Sequence, residues 1–322
     1  MQYNHLGRSG LQLSELSFGS WLTFGAKLDF GKARDCVHFA IDNGMNFFDC
    51  AEVYSNGVAE SILGKILKEF NRNEVVVSTK LFWGGDKPNQ TGLSRKHLIE
   101  GTKASLRRLK MEYVDLLYCH RPDPNTPIEE TVFAMDNIVR SGMAFYWGTS
   151  EWSAKQIETA FEFAKEYKLI APTMEQPEYN MFAREKIEGE YLPLYEKYGL
   201  GTTTWSPLAS GILTGKYVDG IPEGSRIGRV RWLKAEYDKY GMFSQETNNK
   251  VKALLKLSKE LGVTLPQMAI AWCLKNKNVS SVILGASSVD QLKENIKASE
   301  VKALLDNAIM LKIDSILGNK PI

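Results

Sequence analysis

Eight short apolar runs, separated by longer segments of helical periodicity, constrain this sequence more than any other feature. They are LSFGS (16–20), NFFDC (46–50), VVVSTK (75–80), YVDLLYCH (113–120), AFYWGTS (144–150), PTMEQP (172–177), LGTTTWS (200–206) and SVILGAS (281–287). Short strands that are apolar on both faces belong to a parallel sheet covered by helices. Amphipathic helical patterns fall at 32–43, 58–70, 94–109, 128–141, 153–167, 184–198 and 247–261. In 94–109, Leu98, Thr102, Leu106 and Leu109 share one face, with Lys and Arg opposite. Ser153 and the pair Thr126-Pro127 read as helix N-terminal signals. This strand–helix alternation predicts a closed (β/α)8 barrel, which often runs as one domain at a length of 322 residues. A single domain over 1–322 is therefore expected.

A doubly wound open sheet is the competing architecture. One that bound a dinucleotide would usually carry G-x-G-x-x-G after its first strand. That fingerprint is absent: GLGTTT at 199–204 lacks the third Gly, and GILTGK at 211–216 is one residue too short for a P-loop. Residues 207 to 245 break the rhythm with a run of Gly and Pro and read as a long irregular connection. Connections of that length tend to be functional lids. A net charge of +2 gives no field that would recruit nucleic acid or an anionic membrane. No apolar run reaches the roughly 18 residues of a membrane span, and MQYNHLGRSG has no apolar signal-peptide region. Four scattered cysteines without a C-x-x-C pair fit reduced thiols in a cytoplasmic protein, with no zinc site.

In such a barrel the chemistry sits at the carboxyl ends of the strands. The second run ends at Asp49, with Tyr54 just beyond; the third ends at Lys80; the fourth ends at His120. Consecutive strands are neighbours, so an acid, an ammonium, a phenol and an imidazole converge on one mouth, a proton-transfer set. A phenol titrates near 10 in water. A nearby Lys80 ammonium favours the phenolate and is expected to lower that value, making Tyr54 a usable acid. Asp49 would keep Lys80 charged and aimed. Each residue alone has a structural reading: a buried ion pair, a packed tyrosine ring, a core histidine. Their joint occurrence at three successive strand ends favours the functional one. A lysine at a strand end also suits Schiff-base chemistry, which leaves Tyr54 and His120 without a role.

The strings FFDCAEVY, VVVSTKLFWGG, YCHRPDPNTPIEET, AFYWGTSEWS, TMEQPEYNMF, TTWSPLASGILTGKY and ILGASSVDQLKENI resemble the aldo-keto reductases. The likeness is to the branch containing the β subunits of voltage-gated potassium channels and runs from LGRSGL to IDSILGNKP. It implies a (β/α)8 TIM barrel with an N-terminal β-hairpin and a long loop after strand seven. It also implies NADPH-dependent reduction of a small aldehyde or ketone, with Asp49, Tyr54, Lys80 and His120 as the catalytic tetrad. The animal channel subunits carry Asn where this chain has His120, whereas the wider family carries His. Reductase competence is expected.

The resemblance further implies which residues hold NADP(H). Ser20 and Trp21 line the nicotinamide and substrate pocket, Ser150 and Gln176 bond the carboxamide, and Trp205 stacks on the ring. Trp205 as ordinary rim packing stays open. Ser206, Pro207, Leu208, Ala209 and Gly211 bring backbone to the pyrophosphate, with Lys216 and Arg226 on phosphate oxygens. Gly285, Ser287, Gln291, Glu294 and Asn295 follow strand eight and serve the adenosine end. Trp83 and Trp152 are expected to flank the mouth. Arg229, Arg231 and Lys234 are read as solvated charges, and no cofactor contact is expected of Glu151. The implied partners are a second to fourth copy of the chain in a tetramer and the cytoplasmic domain of a potassium channel. In that second role bound NADP would act as a redox sensor. The channel-plugging extension of some animal subunits is not seen, so inactivation by that route is not expected.

Overall fold

The computed structural model describes residues 1–21, 24–25 and 29–321. A two-stranded hairpin, β1 (Tyr3–His5) and β2 (Gln12–Ser14), precedes eight parallel strands. These are β3 (Leu16–Gly19), β4 (Phe47–Asp49), β5 (Val76–Leu81), β6 (Val114–Cys119), β7 (Ala144–Thr149), β8 (Met174–Glu175), β9 (Gly201–Thr204) and β10 (Ser281–Leu284). Pairing runs in chain order and closes where β10 meets β3, so the barrel has no free edge.

Helices α1 (Phe30–Asp42), α2 (Val58–Leu67), α3 (Arg95–Leu109), α4 (Ile128–Arg140), α5 (Ala154–Glu166) and α6 (Leu192–Tyr198) follow successive strands from β3 to β8. After β9 come α7 (Arg226–Arg229), α8 (Arg231–Lys239), α9 (Gln245–Glu260) and α10 (Leu265–Leu274). After β10 come α11 (Val289–Ile296), α12 (Ala298–Val301) and α13 (Asn307–Leu317). No helix among the described residues is long and apolar enough to cross a membrane. The four cysteines are buried free thiols.

Side chains alternate across each strand. One parity faces the helices and includes Phe48, Val77, Leu117, Cys119 and Trp147, all in the outer core. The other faces the barrel axis. There Phe47, Val76, Leu116, Tyr118, Met174 and Ile283 form a second core, plugged from below by Leu6 and Leu13 of the hairpin segment. Continuing the inward parity upward along β4, β5 and β6 reaches Asp49, then Ser78 and Lys80, then His120 just past the strand end. The site is the top inward layer, resting on an apolar floor.

Several elements depart from expectation. The helix expected over 184–198 is split: a wide turn covers Lys186–Glu190, and α6 starts afresh with Pro193 in its first turn. The stretch 207–245 is not irregular throughout. It contains a 3-10 segment Ala209–Thr214 and the helices α7 and α8, anchored by buried Ile212, Leu213, Ile227, Leu233 and Tyr237. Thr126 does not cap α4; its hydroxyl donates to Asp123, and Pro127 holds the cap position. Ser153 does cap α5, in a reciprocal pair with Gln156. Helix α10 escapes a search for amphipathic stripes because it is buried nearly all round.

One outward-parity carboxyl lies behind the cleft wall. Glu175 is fully buried, and its Oε2 accepts the Thr149 hydroxyl while Oε1 has no partner among the described residues. Burial pushes its pKa up to about 8, from an ordinary 4.5. The folded chain therefore holds a proton that the unfolded chain releases. Stability contributed by the neutral carboxyl is present at pH 4.5 and lost as pH rises to about 8. The Glu175→Gln variant should thus gain stability relative to the parent as pH climbs through that window in urea denaturation; a pH-independent difference would contradict this placement of the proton.

Candidate active site

Lys80 is fully buried, and its ammonium makes three bonds. Nζ donates to Asp49 Oδ2 at 2.5 Å, to the Cys50 carbonyl at 2.9 Å and to the Tyr54 hydroxyl at 3.2 Å. All three donor positions of the ammonium are used. Asp49 is held in turn: Oδ1 accepts the Ser78 hydroxyl at 2.7 Å and the Gln176 amide at 3.1 Å. The carboxylate therefore cannot rotate away from Lys80 without also breaking its bonds to Ser78 on β5 and to Gln176 just past β8.

Tyr54 opens a short 3-10 turn after β4 whose Ser55 and Asn56 have positive φ, followed by Gly57 at φ 84°. Those left-handed residues return the chain toward the barrel and leave the tyrosine ring at the cleft. Its ring centroid is 5.8 Å from that of His120, edge on. The expected lowering of the phenol does not prevail. Burial pushes Tyr54 up, and the Lys80 charge offsets only part of that rise. Burial also opposes charge on Lys80, but Asp49 and Tyr54 outweigh it and raise its pKa. The resting pair is thus a charged amine beside a protonated phenol.

His120 is buried, and its Nδ1 has no partner among the described residues. Burial first, then Lys80 and Arg121, hold its pKa well below the usual value, so the imidazole is neutral. A neutral ring can donate from one nitrogen and accept at the other.

These groups open into one cleft of about 1980 Å³. Asp49, Tyr54 and His120 line it, and Lys80 stands behind them. Of the residues expected to hold a cofactor, Trp21, Ser150, Gln176, Trp205, Ser206, Pro207, Leu208, Gly211, Lys216, Arg226, Gly285, Ser287, Gln291, Glu294 and Asn295 line the same cleft. Ser20 and Ala209 do not. Ser20 is buried, donating to the Asp49 carbonyl at 3.0 Å, and Ala209 packs in the core. Trp83 lines the mouth, but Trp152 does not. Trp152 is buried in the helix layer, where its carbonyl accepts the Tyr191 hydroxyl, because the chain turns outward to start α5. Arg229, Arg231 and Lys234 are exposed.

The cleft fits a dinucleotide on structural grounds. At one end Trp205 and Trp21 meet edge to face at 6.3 Å. Past Trp205 the backbone takes positive φ at Ser206, Ala209, Ser210 and Gly211, a string of turns that can present successive N–H groups to an anion. A side chain at Gly211 would strike Lys216 Nζ at 2.8 Å, so the glycine lets that ammonium lie over the loop. Gly285 leaves a notch whose nearest wall is Arg226, 3.6 Å from where a Cβ would stand. Among the described residues neither Lys216 nor Arg226 has a carboxylate partner. Helix α11 begins nearby with Ser288 as its cap, and Gln291 folds back to accept from Ser287. No group of three or more His, Cys, Asp or Glu among the described residues could hold a metal ion.

Sequence reasoning missed the residues that fix Trp205 and the segment after it. Glu151, at φ 62°, accepts from the indole Nε1 of Trp205 at 3.0 Å and from the Glu178 amide at 2.6 Å, and pairs with Lys186 at 2.7 Å. From α8, Tyr237 donates to Glu178 at 3.0 Å and accepts from Ser210 at 3.1 Å, tying the segment after β9 to the cleft wall. Glu151 lies one residue past Ser150, but its left-handed backbone carries no sequence signal.

The Aldo/keto reductase family model matches residues 15–317. A protein of Arabidopsis thaliana named as a probable voltage-gated potassium channel subunit beta is 54% identical over 324 aligned positions, covering 100% of this chain and 98% of that protein. One of Oryza sativa subsp. japonica with the same name is 53% identical, with the same coverage.

Removing one member of the buried pair should be costly. Lys80→Met leaves the Asp49 carboxylate buried without its cation, and is expected to lower stability by about 3–5 kcal/mol in chemical denaturation. The double variant Asp49→Asn with Lys80→Met should recover part of that loss. A single variant as stable as the parent would show that the pair is not buried as described.

Proposed function

Because this chain belongs to the aldo/keto reductase family, we propose that it is an oxidoreductase that reduces aldehydes and ketones to alcohols with NADPH. The observation that carries this reading is the Lys80 ammonium held between Asp49 and the Tyr54 hydroxyl at the floor of the cleft. When bound, the reduced nicotinamide would supply the hydride that adds to the carbonyl carbon. Ser150, Gln176 and Trp205 would hold its ring end, and Lys216 and Arg226 would hold phosphate oxygens. The residues after β10 would take the adenosine end.

The chain's own chemistry concerns the proton. Tyr54 rests protonated and gives its hydroxyl proton to the carbonyl oxygen as negative charge develops there. The phenolate left behind faces the Lys80 ammonium at hydrogen-bond distance, so the charge appears where a cation already stands. Asp49 keeps that cation aimed and charged. Neutral His120 can donate to the carbonyl oxygen and fix its direction without adding charge to a buried site. Ser78 and Gln176 support Asp49 and so set the tyrosine–lysine distance indirectly.

A second reading has its own support. The two plant relatives carry the name of channel subunits at more than half identity along the whole chain. We infer that this protein also forms homotetramers in the cytoplasm and docks on the cytoplasmic domain of a potassium channel, with bound NADP(H) reporting redox state. Association of the purified chain with such a domain supports this; a purified pair that runs separately in gel filtration contradicts it.

Titration with NADPH and NADH followed by a panel of carbonyl compounds tests the enzymatic reading, and tight NADPH binding with turnover is expected. Tyr54→Phe should lower turnover by about 100-fold or more, the scale of losing a general acid. Its affinity for NADPH should stay at the parent value. Turnover near that of the parent would remove Tyr54 from the role of proton donor.

A further inference from the structure

We propose that Arg121 is a specificity-determining residue that anchors a carboxylate on the carbonyl substrate, so that the preferred substrates are carbonyl acids. This rests on the reductase reading above and names its substrate class.

Arg121 directly follows His120 at the end of β6 and lines the cleft. Its Nη1 donates to the His120 carbonyl at 2.6 Å and to the Ser150 hydroxyl at 3.3 Å, which pins one edge of the guanidinium. Its carbon lies 5.6 Å from the Trp83 ring centroid, so an aromatic face covers it. The remaining N–H groups have no protein acceptor among the described residues. A guanidinium fixed along one edge offers the other as a fork matched to a carboxylate.

The acids around it are engaged elsewhere. Asp123, two residues on, accepts from the Leu93 and Asn125 amides and the Thr126 hydroxyl. Asp49 pairs with Lys80, and Glu151 pairs with Lys186. Glu178 takes the Tyr237 hydroxyl. Among the described residues, Arg121 is thus a cation without a counter-charge beside the proton-transfer groups. Arg226 and Lys216 are likewise uncompensated, but they lie with Gly285 and Gly211 in the stretch suited to cofactor phosphates. The two positive regions address different anions.

Placement relative to the reacting centre follows from the ring contacts. Tyr54 is 5.8 Å from His120, His120 is 5.1 Å from Trp83, and Trp83 lies against Arg121. A carbonyl at Tyr54 and His120 would leave the far end of a small substrate passing Trp83 toward the guanidinium. A carboxylate separated from the carbonyl by an aromatic ring or a short chain suits that span.

The test compares 4-carboxybenzaldehyde with its methyl ester, which have the same reacting group and differ in charge. In the parent protein the ratio of kcat/KM, acid over ester, should be about tenfold or more, the scale of one charge-assisted pair. In Arg121→Met the ratio should fall toward one, with the loss carried by KM for the acid. Arg121→Lys, which keeps the charge without the fork, should lie between. Calorimetry gives a reading independent of turnover. Protein holding the oxidised cofactor should bind 4-(hydroxymethyl)benzoate more tightly than its methyl ester, and Arg121→Met should abolish the difference. A parent ratio at or below one, or an unchanged ratio in Arg121→Met, overturns the proposal. If neither aldehyde is reduced the reductase reading fails, and the calorimetric difference still decides the role of Arg121.

Discussion

The Lys80–Asp49 pair is the interaction on which the rest of the structure depends. Two full charges lie below the cleft floor, where isolated ions would be strongly disfavoured. They persist because the surrounding polar groups are matched to them: three acceptors surround the ammonium, and donors from Ser78, Lys80 and Gln176 surround the carboxylate. Those partners come from β4, β5 and the segments just beyond β4 and β8. The barrel must close in the observed register for the pair to be satisfied, and the pair in turn fixes where Tyr54 stands. Burial raises the phenol while the ammonium pulls the other way. That opposition keeps the proton on Tyr54 at rest, with the charge needed to release it already in place.

Much of this was legible because strands have a period of two. Asp49, Lys80 and His120 lie at the upper ends of successive inward parities, and that can be read by counting along β4, β5 and β6. The closed sheet was legible from apolar runs alone, since each strand is covered on both faces. The residues that orient Trp205 and hold the segment after it were not legible. Glu151 acts through a positive-φ turn, and Tyr237 reaches the cleft from α8, far along the chain. Trp152 shows the opposite failure. The resemblance puts it at the mouth, but the turn into α5 carries it into the helix layer. Glycine and proline likewise concealed α7 and α8, whose few apolar anchors suffice only once the barrel provides a surface for them.

Charge divides the cleft. One region holds Arg226 and Lys216 near positive-φ backbone that suits phosphate oxygens. The other holds Arg121 against Trp83, beside a neutral imidazole. Arg226 lies over the Trp21 ring at 5.6 Å, and the Lys80–Asp49 pair is compensated within itself. Under the proposed function, an elongated anion with a planar, weakly charged end would occupy the first region, and a small acid bearing a reducible carbonyl the second. His120 fits this partition: a charged imidazole would stand close to both Lys80 and Arg121, and both cations disfavour it.

The central claim is that the amine of Lys80 stabilises the phenolate of Tyr54. The most direct measurement is the titration of Tyr54 itself, followed by the 13Cζ resonance of labelled tyrosine, in the parent protein and in Lys80→Met. The account predicts that the phenol titrates at higher pH once the ammonium is gone, because burial then acts unopposed. A Tyr54 titration that does not move on loss of Lys80 would contradict it.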